Sequence, residues 1–349
     1  MRYGRTDGAR ITIGGKSLLN LCSNDYLGMC PTQVPQGQLQ SSSRLLAGND
    51  ESYRELEDAL AGHKSQESSL VYPTGYMANM GAISAVASAG DLILSDELNH
   101  ASIIDACKIT GAAVSIYKHN DMDDLSSKIR GKAQNKFIVC EGIFSMDGDY
   151  SDLARISEVA RKEGAVTILD DAHGDFAVGS DGRGTPDELG SGVDVYISSL
   201  SKGLGSFGGY VASQNNVIDL CVNRSRQFIY TSALPRQLVS HAAERLLSER
   251  SGRQNALRDN VAMLSRGLGQ LGCQSGDTHI MPIHVGGEKK AVEYGRFLFE
   301  RGVFAQPVRY PTVPRGQARI RVSVTAWLSR EDIDFALGAF EAAQARFSA

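Results

Sequence analysis

Val166-Thr167-Ile168-Leu169-Asp170-Asp171-Ala172-His173-Gly174 joins a short apolar run to two acids and a histidine. A run of this length and composition, without alternation, fits a strand covered on both faces better than a helix. Acids at its carboxyl end stand where open α/β sheets bind ligands. Outward from this stretch the same pattern repeats. Downstream, 195–198 is a second buried strand, and its end carries Ser199-Leu200-Ser201-Lys202-Gly203. Upstream, helical stretches at 55–61, 78–89, 103–110 and 153–163 alternate with strand runs at 69–72, 91–95, 113–117 and 137–140. Strands alternating with helices predict an α/β fold, with a mostly parallel central sheet and helices on both faces.

The ends of the chain read differently. Strand signals at 11–13 and 17–19 precede a turn at Asn24-Asp25. Beyond Pro235 a helical region runs to about 271, then come strands near 280–285 and 319–324 and a closing helix over 331–347. The expected organisation is an N-terminal segment at 1–40, a large domain at 41–235 and a smaller α+β domain at 236–349.

Composition narrows the function. With 349 residues and 42% hydrophobic content the chain can bury a large core. A net charge of −4 gives no global attraction to nucleic acid or anionic membrane. The cysteines form no C-x-x-C pair and have no histidine at zinc spacing, so they read as core residues and no metal is expected. The N-terminus lacks an apolar signal region and no stretch has the length of a membrane span, so the expected location is the cytoplasm.

Two patterns mimic nucleotide sites. Gly203-Leu204-Gly205-Ser206-Phe207-Gly208 spells G-x-G-x-x-G, but a strand-like run, Gly209-Tyr210-Val211-Ala212, follows where a dinucleotide site needs a helix. Gly15-Lys16-Ser17 resembles the end of a P-loop, but Arg10 occupies the place of its first glycine.

The two strand ends at Asp170 and Lys202 together point to pyridoxal phosphate (PLP). That cofactor needs a lysine for its Schiff base and an acid against its pyridinium nitrogen. Hydroxyls and backbone N–H groups must meet its phosphate. Each piece alone has an ordinary reading: Asp170 or Asp171 as a helix cap, Lys202 as a solvated turn residue. Tyr72-Pro73-Thr74-Gly75-Tyr76 reads as strand, turn and helix start, a ready anion site or a plain connection. His100, just past another strand end, could stack on a flat ring or be a satisfied polar residue.

Further segments carry a family resemblance. They are Asn24-Asp25-Tyr26-Leu27-Gly28, Ser43-Arg44-Leu45, Thr74-Gly75-Tyr76, Asp96-Glu97-Leu98-Asn99-His100-Ala101-Ser102 and His119-Asn120-Asp121-Met122. They continue with Glu141-Gly142-Ile143-Phe144-Ser145-Met146-Asp147-Gly148-Asp149, Asp170 to Gly174, Ser201-Lys202-Gly203, Pro311-Thr312-Val313-Pro314 and Arg319-Ile320-Arg321. In this order, across nearly the whole chain, they resemble the α-oxoamine synthases, a branch of the fold-type I PLP-dependent transferases. The resemblance implies that Lys202 holds the cofactor, Asp170 pairs with the ring nitrogen, His173 meets the ring oxygen and His100 stacks on the ring. It further implies Gly75, Tyr76 and Ser199 at the phosphate, Glu141 and Ser145 by the ring edge, and Thr231 and Ser232 reaching the phosphate of the partner in a homodimer with shared sites.

For substrates, the resemblance implies Asn24, Arg309 and Arg321, with Arg321 rather than Arg319 as the carboxylate clamp. The implied reaction joins an amino acid, L-alanine favoured, to an acyl thioester, pimeloyl favoured, on coenzyme A or acyl carrier protein. Other acyl and amino-acid pairs, or an aminotransferase on the same fold, are the rival readings. Tyr53, where relatives often carry histidine, and Trp327-Leu328, in place of Ala-His, depart from the pattern.

Overall fold

The computed structural model describes residues 2–30, 36–37, 39–273 and 276–347. Contacts sort the chain into two compact units: Met29–Phe144 with Tyr150–Glu249, and Met1–Gly28 with Ser145–Asp149 and Arg250–Ala349.

The first unit is built on a seven-stranded sheet. Its strands lie in the order Ser68–Tyr72, Gly209–Ser213, Val195–Ser199, Val166–Asp170, Lys136–Glu141, Leu92–Asp96, Ala113–Tyr117. Gly209–Ser213 runs antiparallel to both neighbours, and the other pairings are parallel. Leu92–Asp96, Val195–Ser199 and Gly209–Ser213 are buried along their whole length, as apolar runs covered on both faces must be. Parallel register sets the carboxyl ends side by side, with Glu141 opposite Asp170 and Asp170 opposite Ile197.

Caps fix the helices that cover the sheet. The helix Gly75–Val86 starts earlier than its apolar pattern predicts, because Thr74 accepts a hydrogen bond from Met77 N at 3.2 Å. Its small residues permit close packing: a Cβ on Gly81 would come within 2.6 Å of the Tyr72 ring. It packs against the helix Ala101–Thr110. Leu153–Glu163 is closed by Asp152 at its start and by Gly164, φ 64°, at its end. The helical region expected from Pro235 to about 271 is two helices, Arg236–Leu247 and Ser251–Gln270. Ser248 turns extended after the first, at the place where the chain passes from one unit to the other.

In the second unit Arg5–Asp7, Arg10–Ile13 and Lys16–Asn20 form an antiparallel meander, and Val303–Phe304 joins it in parallel. A further sheet has Ala318–Ser323 between Ile280–Gly286 and Gln306–Val308. The helices Glu288–Glu300 and Arg330–Phe347 pack on each other, burying Leu298 and Phe340. Among the described residues no helix is long and apolar enough to cross a membrane.

Candidate active site

A cavity of about 250 Å³ opens at the carboxyl ends of the parallel strands in the first unit. Gly75, Tyr76, His100, Glu141, Asp170, His173, Ser199 and Lys202, all expected at the site, line it. Asp170 closes its strand and is held from two sides: Oδ1 accepts from Ala172 N at 3.1 Å and Oδ2 from Asn79 Nδ2 at 2.6 Å. Lys202 Nζ lies 3.2 Å from His173 Nε2, within hydrogen-bond reach. The lysine sits in the turn that reverses the chain into Gly209–Ser213. Leu200 N donates to Gly208 O at 3.0 Å, Gly205 N to Lys202 O at 3.0 Å and Ser206 N to Leu200 O at 2.9 Å. The G-x-G-x-x-G pattern is this turn, and a strand follows it.

His100 is the N-cap of Ala101–Thr110. Its Nδ1 accepts from Ser102 N at 3.3 Å and lies 2.8 Å from Ser102 Oγ. Burial pushes its pKa down, and Lys202 pushes the same way against the opposing pull of Asp170. The Tyr76 ring meets it edge-on at 6.4 Å.

The opposite end of the cavity suits an anion. The first turn of Gly75–Val86 carries no acidic residue, so its free N–H groups and helix dipole face no competing charge there. Ser199 and Ser201 Oγ lie 2.8 Å apart beside it. Backbone approach is tight here: a Cβ on Gly209 would sit 2.5 Å from Gly75 Cα, and one on Gly75 3.0 Å from Ser199 Cβ. An anion cradle free of side chains, an acid held at a strand end and a lysine within the same cavity fit PLP.

Asp171, which the sequence offered only as a possible helix cap, turns to the other side of the strand. It accepts from Thr185 N at 2.8 Å, from Thr185 Oγ1, and from Tyr196 OH at 2.7 Å. Next to it Lys64 is buried, donating to Asp175, to Arg183 O at 2.8 Å and to Tyr196 OH at 2.9 Å. Tyr210 OH donates to Asp175 at 2.7 Å. Burial drives the Asp171 carboxyl up to about 6, although Lys64 pulls it down. A second cavity, about 460 Å³, borders this cluster at Lys64 and Tyr196.

The remaining expected residues lie outside the cavity. In the second unit Arg321 Nε donates to Ser145 O at 2.6 Å, and Nη1 to Asn24 Oδ1 at 3.3 Å and Ser323 Oγ at 2.8 Å. Arg319 is fully buried and ion-paired to Asp147. Arg309 is exposed on the same unit. Thr231 is half-buried and Ser232 exposed, and Ser232 bridges to Ser43. Tyr53 is a core residue under the Arg44 guanidinium, its hydroxyl accepting from Leu234 N at 2.6 Å. The Trp327 ring fills the space a Cβ on Gly28 would take, at 2.5 Å from Nε1. Asn79 and Ser102, in the cavity wall, had no role in the sequence reading. Asn79 follows Gly75 by one helical turn, which puts both on the same side of the helix.

A family profile described as "Aminotransferase class I and II" matches residues 16–340. The 8-amino-7-oxononanoate synthase of Thermoanaerobacter pseudethanolicus is 42% identical over 96% of this chain and 89% of its own. The serine palmitoyltransferase of Sphingomonas wittichii superposes with a TM-score of 0.93 at 30% identity, covering 98% of this chain and 90% of its own. A serine palmitoyltransferase of S. paucimobilis, solved with a bound PLP–myriocin adduct, gives 0.93 at 28% identity over 99% of this chain and 92% of its own. The chain belongs to the class I and II aminotransferase family and, within it, is a PLP-dependent enzyme of the fold-type I α-oxoamine synthases.

Proposed function

We propose that the enzyme condenses L-alanine with a pimeloyl thioester to give 8-amino-7-oxononanoate. The observation that carries this reading is the full-length similarity to 8-amino-7-oxononanoate synthases. That product dissects chemically into the two substrates. Its first seven carbons are a pimeloyl chain, and the eighth and ninth are the Cα and Cβ of alanine after its carboxylate has left. Bond by bond, alanine Cα loses a proton and attacks the thioester carbonyl. The C–S bond breaks and the thiol departs. The carboxylate leaves as CO₂, and Cα takes a proton back.

Bound PLP supplies an electron sink for this chemistry. Lys202 Nζ would hold it covalently, then serve as the base that takes the Cα proton and returns one. Asp170 would hold the proton on the ring nitrogen, and His173 would meet the ring oxygen. His100 would cover one ring face, with Glu141 and Ser145 at its edge. Gly75, Tyr76 and Ser199 would take the phosphate, and Thr231 and Ser232 that of the partner subunit in a symmetric homodimer. Arg321 is assigned the amino-acid carboxylate, a planar fork for a planar anion. Arg319 is already committed to Asp147, which favours Arg321 of the pair. Asn24 would bind substrate beside Arg321, and Arg309 would serve the thioester, carried on coenzyme A or acyl carrier protein. The enzyme is assigned to the cytoplasm.

The test is a panel of alanine, glycine and serine against acetyl, succinyl, pimeloyl and palmitoyl thioesters, followed by thiol release. Alanine with pimeloyl should turn over fastest. A preference for serine with palmitoyl would replace this reading with that of the serine palmitoyltransferase neighbours.

A further inference from the structure

We infer that Asn79 and Ser102 are positioning residues for the cofactor ring, forming a buried hydrogen-bond relay that fixes His100 as the neutral tautomer protonated on Nε2 and ties it to Asp170. The inference rests on PLP occupying the cavity described above and deepens the account of that site.

Each proton in the relay can be placed. A carboxylate only accepts, so the side of Asn79 facing Asp170 Oδ2 at 2.6 Å must be its nitrogen. The second hydrogen on Nδ2 then goes to Ser102 Oγ at 2.9 Å. Ser102, accepting that bond, has its own hydroxyl hydrogen left for His100 Nδ1 at 2.8 Å. The backbone N–H of Ser102 also points at Nδ1, at 3.3 Å. A ring nitrogen that receives two donors carries no proton, so the proton of the neutral imidazole sits on Nε2.

The setting makes this arrangement strict. Asn79 is 3% exposed and Ser102 is fully buried, so water has little access to replace either bond. Asn79 lies on Gly75–Val86 and Ser102 on Ala101–Thr110, two helices packed against each other. The Oδ1 of Asn79 is buried with no hydrogen-bond partner among the described residues. An amide kept at the expense of an unsatisfied oxygen is there for its two N–H groups.

The chemical consequence concerns charge over the ring. His100 faces Tyr76 from one helix, Asp170 from a strand end and Lys202 from the neighbouring turn. Protonating Nδ1 would require expelling both Ser102 donors. Burial and Lys202 lower the affinity of the imidazole for a proton in the same direction. A neutral imidazole would avoid adding positive charge beside bound PLP, and Asn79 holds one oxygen of the carboxylate that would meet the ring nitrogen.

The test uses the PLP-loaded enzyme and the variants Ser102→Ala, Ser102→Thr and Asn79→Ala. Nitrogen–proton correlation spectra report the His100 tautomer, visible absorbance follows bound PLP against pH, and a PLP titration gives the dissociation constant. Wild type and Ser102→Thr should show the Nε2–H form. Ser102→Ala keeps the backbone N–H donor to Nδ1 and loses the hydroxyl donor, so it should keep the Nε2–H form and show an upward shift of the His100 pKa. Asn79→Ala should in addition shift the pH profile of the visible band and weaken PLP by about 10- to 100-fold, as loss of a hydrogen bond to a charged group does. Ser102→Ala removes one atom and leaves Asn79 in place, so it reports on the relay even if Asn79→Ala folds poorly. If wild type shows the Nδ1–H form, or Ser102→Ala leaves the His100 pKa at its wild-type value, the relay is overturned. A wild-type protein with no visible band after adding PLP would instead overturn the cofactor reading, and this inference with it.

Discussion

Replacing Lys64 with methionine tests what stands behind the active-site strand. The two side chains are similar in length, so the change removes charge and donors more than volume. Lys64 Nζ donates to Asp175, Arg183 O and Tyr196 OH, and lies 4.2 Å from the Tyr196 ring centroid. Without it, two buried acids, Asp171 and Asp175, share one cluster without the Lys64 charge. Removing one partner of a buried pair costs about 3–5 kcal/mol. The loss should depend on pH, and the sign follows from Asp171. Its carboxyl titrates at about 6 in the fold against 3.8 as a free side chain, first because of burial. The folded chain therefore binds this proton more tightly than the unfolded chain. The stabilisation that results is fully present below the unfolded value and is lost as pH rises through about 6, about 3 kcal/mol in all. Lys64 holds the Asp171 value down, so Lys64→Met raises it further, and the variant suffers more at high pH than at low pH. Urea unfolding of the PLP-loaded protein at about pH 5 and about pH 8 measures this. A loss under about 1 kcal/mol at the higher pH, or equal losses at both, would refute the reasoning.

Arg321→Leu should bind PLP normally while its affinity for L-alanine falls by about 2–5 kcal/mol, read from the absorbance change on adding the amino acid. Arg319→Leu should leave that affinity near wild type and lower the thermal midpoint, because its loss strands Asp147. Gly209→Ala should abolish tight PLP binding, since its Cβ would overlap Gly75 at 2.5 Å, and a fluorescence titration with PLP would show it. Borohydride reduction followed by peptide mapping should tag the peptide holding Lys202.

Much of the first unit was legible because its strands obey one rule. Val166–Asp170 and Val195–Ser199 are covered on both faces and so appear as short, largely apolar runs without polar alternation. Residues placed at such strand ends, Asp170, His173 and Lys202, inherit their position from the sheet. What was illegible depends on tertiary contacts. The helix Glu288–Glu300 carries Lys, Arg and Glu around a narrow apolar stripe, and the strand Gln306–Val308 has three residues. The helix buries Ala291, Tyr294, Gly295 and Leu298 at helical spacing, a signal the sequence reading passed over, whereas three residues are too few to show a period. The break at Ser248 has no glycine or proline to announce it. Arg319 and Arg321 share a strand face in sequence, and only the position of Asp147 tells them apart. Asn79 and Ser102 were missed because their meaning lies in each other, twenty-three residues apart.

The turn holding Lys202 has a stereochemical consequence. Its backbone is pinned at Leu200, Lys202 and Gly205 and runs at once into an antiparallel strand paired on both sides. The backbone of the lysine is thus held at a fixed point, and any motion of its amino group is motion of the side chain alone. In its proposed role as the base, the lysine would approach a bound amino acid from one side. A proton that it removed from Cα and later returned would come back to the same side, so the proposed reaction should release a single enantiomer of the amino ketone.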